Sequence, residues 1–135
     1  MKQEDKELLL KDLCARLTYG VKFRCKYIDN FFHENYTTST LIGVLPPYHI
    51  IHSTLTGKEY LQIESDEIKP YLFPMSSMTD EQCAELIKLI NTDQNDNNEF
   101  MRSLCRIEFY HINHFDYRGL IEKGLALDAT GKNIY

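Results

Sequence analysis

The hydrophobic period of the chain changes sharply at Gly20. Before it, Leu10, Leu13, Cys14 and Leu17 recur at i, i+3, i+4 and i+7, with Leu9 widening the stripe. That spacing makes one face of a helix, predicted over residues 4–17. Lys6, Glu7, Lys11, Asp12 and Arg16 fall to the solvent side in this reading. After Gly20, "VKFRCKYI" alternates. Val21, Phe23, Cys25 and Tyr27 point one way and Lys22, Arg24 and Lys26 the other, the pattern of a half-buried strand. A glycine just past the last apolar position suits a helix that stops in a left-handed conformation. A fold that begins with a helix and turns at once into sheet belongs to the α+β class.

More strands follow. "TTSTLIGVL" is a β-rich run that ends at Pro46-Pro47, which cannot continue a ladder. "YHIIHSTL" and "KEYLQIE" flank Thr56-Gly57 as a hairpin would. About four strands joined in order predict a small antiparallel meander. "KPYLFPMSSM" breaks the pattern, because Pro70 and Pro74 restrict the residues before them. It is predicted to be a fixed crossover with Tyr71, Leu72 and Phe73 packed on the body.

Two longer helices come next. Thr79 and Gln82 have capping-box spacing, ahead of a stripe formed by Cys83, Leu86, Ile87 and Ile90. "NTDQNDNN" offers no core-forming residue and reads as a loop. A further helix is predicted from about Asn98 to Asn113, with Phe100, Met101, Leu104, Cys105, Ile107 and Ile112 giving it a broad apolar surface.

The run "NHFDYRGLIEKG" looks like a site, with acid, phenol, guanidinium and glycine side by side in Asp116-Tyr117-Arg118-Gly119. The plainer reading is structural. Asp116 would cap a short C-terminal helix beginning at Tyr117, bonding the N–H of Arg118 or Gly119, and Gly124 would end it. Leu120 and Ile121 would point inward, and "LALDA" would leave as an extended tail. The sharper alternative makes Tyr117 and Arg118 a clamp for phosphate or carboxylate.

The blocks "LLLKDLCARLTYGVK", "IKPYLFPMSSMTDEQ" and "NHFDYRGLIEKGLAL" resemble those of a family of small uncharacterised proteins from gut Bacteroides-type bacteria, their phages and mobile elements. The resemblance covers the first helix, the crossover and the C-terminal third. This chain has Thr18 where the family has Pro, Phe73 where it often has Arg, and a different ending. The family brings no known activity, so the resemblance implies kinship and a phage or mobile-element context, without a mechanism.

Other features narrow the function. One domain, residues 1–135, accounts for the length. The net charge of −5 argues against nucleic acid as partner, since such binders show a basic footprint. The strand face of Lys22, Arg24 and Lys26 is the local exception, and a nucleic-acid-associated module using it is the alternative reading. No apolar run approaches the ~20 residues of a membrane span. The start of the chain is acidic where a secretory signal is basic, so a cytoplasmic protein is expected. Cys14, Cys25, Cys83 and Cys105 have no metal or redox spacing and read as inert thiols. His49/His52 and His111/His114 form two His-x-x-His pairs, but a strand sends positions three apart to opposite faces. No nucleophile elbow, Walker loop, dinucleotide fingerprint or HExxH motif is present. The expectation is therefore no enzyme and no cofactor. A small accessory or regulatory protein that binds a protein partner is expected, with Tyr71, Tyr117 and Arg118 as binding candidates.

Overall fold

A computed structural model of the chain describes residues 1–45, 49–54, 57–62, 68–91 and 98–135. The expectations placed on Pro46, Pro47 and Thr56, and on most of the Asn/Asp loop, lie outside those residues. The fold is α+β. Helix α1 (Gln3–Ala15) is followed by a single 3-10 turn, Leu17–Tyr19, and Gly20 ends it at φ 67°. Strands β1 (Lys22–Ile28), β2 (Glu34–Leu45), β3 (His49–Thr54) and β4 (Gly57–Gln62) form the predicted antiparallel meander.

Among the described residues the sheet is larger than the sequence reading, at six strands in the order β4-β3-β2-β1-β5-β6. The crossover supplies β5 (Lys69–Leu72), antiparallel to β1, and the tail supplies β6 (Leu127–Asp128), parallel to β5. Two prolines hid β5. Pro70 lies second in a four-residue strand and Pro74 lies beyond its end, so neither interrupts the pairing. Tyr71 and Leu72 are buried, as packing of this segment requires.

Leu9 and Leu13 of α1 are buried with Val21, with Phe23 and Cys25 of β1, and with Leu41 of β2 and Ile50 of β3. Leu72, Leu120 and Leu125 belong to the same core. The alternation of β1 thus holds through Cys25, while Tyr27 is exposed. Two residues assigned to solvent are instead in the interior, since Asp12 and Arg16 are both 0% exposed. Of the four free thiols only Cys25 is buried; Cys14 and Cys83 are exposed.

Helix α2 (Asp80–Ile90) opens with the predicted capping box. Thr79 Oγ1 accepts from the Gln82 N–H at 3.2 Å, and Gln82 Oε1 accepts from the Thr79 N–H at 2.9 Å. Helix α3 (Glu99–Ile112) starts where the Asn98 side chain accepts from the Met101 N–H, and closes at Asn113. The short C-terminal helix does not form; residues 117–124 are a series of turns. Gly119 sits at φ 72°, a left-handed position that stops any helix in its first turn. Asp116 does bind free backbone N–H groups, but those of Leu120 (2.9 Å) and Ile121 (2.8 Å), one on each carboxylate oxygen. The carboxylate closes a wide loop, not a helical turn.

Candidate functional site

Two places carry side chains in unusual settings. The first is the junction between the end of α1 and residues 111–118. Asp12 and Arg16 lie one turn apart on α1, so both reach the same spot. Arg16 Nε donates to Asp12 Oδ2 at 2.7 Å, and its Nη2 donates to the Phe115 carbonyl at 2.6 Å. Arg118 Nε lies 3.1 Å from Asp12 Oδ1. One carboxylate is therefore shared by two guanidinium groups. Burial pushes the Asp12 carboxyl up, and the nearby Arg16 and Arg118 charges pull against that.

The Tyr117 ring lies under both cations, 5.5 Å from the Arg16 guanidinium carbon and 4.9 Å from that of Arg118. Its hydroxyl is 2.9 Å from His111 Nε2, and the Tyr19 ring lies 5.4 Å from the imidazole. His114 takes a left-handed conformation at φ 57° and turns the chain back after α3. Phe73 N–H then donates to the His114 carbonyl and Asp116 N–H to the Phe73 carbonyl. The His114 ring stacks on Tyr135 with centroids 3.6 Å apart. The Tyr135 hydroxyl donates to the Tyr71 carbonyl at 2.8 Å and accepts from the Lys22 N–H at 2.9 Å. Burial raises that phenol to about 12. Both imidazoles are pushed down to about 4, first by burial and then by the Arg16 charge, so both are neutral near pH 7.

This cluster joins α1, β1, β5, α3 and the C-terminal turns, and its members are directed at one another. Tyr117 and Arg118 are brought together, but Arg118 faces Asp12 rather than an open clamp. Tyr71 is buried under the same network. On the β1 strip, Arg24 lies 4.4 Å from the Tyr36 ring, and Lys26 Nζ is 2.6 Å from Glu34. The acidic residue facing this strip is Glu34 on β2. His52 is buried against Phe23 while His49 is half-buried, and among the described residues no group of three or more His, Cys, Asp or Glu could hold a metal ion.

Asp12 and Arg16 were missed, although a signal was present. Arg16 stands seven residues after Leu9 and three after Leu13, within the apolar stripe itself. A charge inside that stripe calls for a buried partner, and Asp12 is in reach.

The second place is the helical pair. Among its described residues α2 buries none. On α3, Phe109 and His111 are buried and Arg102, Ser103 and Arg106 are half-buried, while Phe100 is 69% exposed and Met101, Leu104, Ile107 and Ile112 are exposed with it. The apolar stripe of α3 thus faces outward. On α2, Leu86 and Ile90 are half-buried and Ile87 is 59% exposed. Elsewhere, the β1–β2 hairpin holds Phe31 and Phe32 out at its tip, the latter 90% exposed, on a turn whose Asp29 carboxylate accepts from the N–H groups of Phe31 and His33. Those two hydrogen bonds, with that of Asn35, hold the Asp29 carboxyl below its usual range. No helix among the described residues is long and apolar enough to cross a membrane.

No protein-family model matches the chain, and no curated protein or solved structure is significantly similar to it.

Proposed function

We propose that the protein is a small cytoplasmic accessory or regulatory protein, of bacterial, prophage or phage origin, that works by binding another protein through α2 and α3. One observation carries this reading: the apolar stripe of α3 is turned away from the body of the molecule. A contiguous apolar patch of this kind is costly in water and characteristic of an interaction surface. The polar cluster around Tyr117 supports a non-enzymatic reading, because Asp12, Arg16, His111, Tyr117 and Asp116 are bonded to each other or to backbone, although Asp12 Oδ1, Arg16 Nη1, His114 Nδ1 and Arg118 Nε make no hydrogen bond among the described residues. The β1 strip supports nucleic-acid binding poorly, since Arg24 and Lys26 already have partners within the sheet.

The test is affinity capture from a bacterial host lysate with the wild type and Leu104→Asp in parallel. A protein captured by the wild type and lost with the variant supports the reading. Capture that is indifferent to Leu104→Asp overturns it.

A further inference from the structure

We propose that Tyr135 is a releasable latch, a phenol wedged into the β1–β5 ladder where Lys22 and Tyr71 would otherwise bond each other directly. The register shows where the ladder is interrupted. β1 and β5 pair Phe23 with Pro70 and Arg24 with Lys69, so the next pair along is Lys22 with Tyr71. Proline has no N–H, and an antiparallel ladder bonds alternate pairs. With Pro70 in a non-bonded pair, the bonds fall to its two neighbours, Arg24 with Lys69 and Lys22 with Tyr71. At the second of these the pairing stops. The Tyr135 hydroxyl stands there instead. It accepts from the Lys22 N–H at 2.9 Å and donates to the Tyr71 carbonyl at 2.8 Å, with the Lys22 carbonyl farther off at 3.5 Å. A donor on one strand and an acceptor on the other, each the ordinary partner of the other, are joined through one oxygen atom.

These two groups are complementary, so withdrawal of the phenol leaves neither unpaired. β5 closes on β1, and the ladder gains one pair. Two arrangements therefore satisfy the same backbone groups, which is what a two-state element requires. A buried side-chain hydrogen bond of the usual kind has no such alternative, since breaking it strands its partner.

The segment that carries Tyr135 is held lightly. Ala129 is buried, and its N–H donates to the Leu72 carbonyl. Beyond it residues 130–133 are exposed and Ile134 is half-buried. Among the described residues the hydrogen bonds of 130–134 are local, from the Thr130 N–H to Asp128 and from the Lys132 N–H to the Ala129 carbonyl. Gly131 and Asn133 take left-handed backbone, at φ 70° and 51°, and turn the chain back toward the sheet. Tyr135 is 43% exposed and is held by its hydroxyl and by the His114 ring. Release is felt beyond the ladder. Phe73, just past the end of β5, exchanges backbone bonds with His114 and Asp116. The latch thus joins the spacing of β1 and β5 to the turn that follows α3.

Solution NMR on the whole chain tests this. In Tyr135→Ala, and in Tyr135→Phe with the ring kept, a scalar coupling across a direct hydrogen bond should appear between the Lys22 amide nitrogen and the Tyr71 carbonyl carbon. The wild type should show none. The Lys22 amide should stay protected from hydrogen exchange in both variants. In the wild type, chemical-exchange saturation transfer should detect a minor state at Lys22 and Tyr71 with the shifts of the variants. A residue fixed in place gives a different result. Lys22 exchange then rises at least ~100-fold in Tyr135→Phe with no new coupling, because its N–H is left to water. Absence of the coupling in Tyr135→Phe overturns the latch, whether or not Tyr135→Ala folds. A wild type with no minor state, or with one whose shifts differ from those of the variants, overturns its release.

Discussion

Where α1 meets residues 111–118, charged groups lie inside the molecule; on α2 and α3, large apolar groups lie outside it. The junction holds two guanidiniums, two carboxylates and two imidazoles within a single cluster. Each carboxylate there is matched, Asp12 by Arg16 and Arg118, Asp116 by two backbone N–H groups. Such a cluster is costly to leave half-made, so it fixes how the C-terminal turns dock on α1. The helical pair has the opposite character. Its helices are specified by their own signals, a capping box on α2 and an Asn cap on α3. Little of their apolar surface is used by the body. A substitution should therefore act on folding in one region and on association in the other.

The largest effect is expected at Asp12. Asp12→Ala leaves two guanidiniums facing one another in the interior, with about 3–5 kcal/mol lost from the unfolding free energy. Urea denaturation measures it. A loss below ~1 kcal/mol would mean that the pair is solvated and the junction looser than described.

Acid should act on the same region. His111 and His114 have folded values near 4 against an ordinary 6.5. Between those limits the unfolded chain binds protons that the folded one does not. Their contribution is complete above about pH 6.5 and is lost as pH falls toward 4. Asp12, whose carboxyl is raised, works in the opposite sense, since protonation relieves its burial cost. With two imidazoles against one carboxyl, stability should fall by a few kcal/mol across this window. His114→Asn tolerates the left-handed backbone and removes one titration. Thermal melts from pH 7 to 4 should show a shallower fall for this variant than for the wild type.

Asp116 should give a smaller effect. Asp116→Ala removes two charge-assisted bonds to backbone and should cost about 2 kcal/mol. Asp116→Asn should recover only about half, because its amide NH2 would face an N–H where the second oxygen now accepts. Full recovery with Asn would show that only one of the two bonds matters.

Much of the fold was legible in the sequence. The change of period at Gly20 marked the α1–β1 boundary, and Thr79 with Gln82 placed the start of α2 to the residue. Strand β5 was hidden because propensity counts prolines, whereas pairing depends only on which N–H groups the ladder needs. The C-terminal helix was misread for a related reason. Asp116 and Gly124 are in cap-like positions, but Gly119 between them takes the left-handed conformation. The polar junction is built from residues about 100 positions apart, Arg16 with Phe115 and Asp12 with Arg118, and local periodicity carries no information about such contacts. The stripe on α3 was visible from its spacing, but the direction it faces is a tertiary property.

That direction is the point on which the account depends, and Leu104 reports on it most directly. The unfolding free energy of Leu104→Asp should be measured by urea denaturation at a concentration low enough to keep both proteins monomeric. With the side chain facing solvent, the variant should match the wild type within about 0.5 kcal/mol. A loss of about 3 kcal/mol or more, the cost of an unpaired charge in a core, would show that α3 turns its apolar stripe inward and would contradict the account.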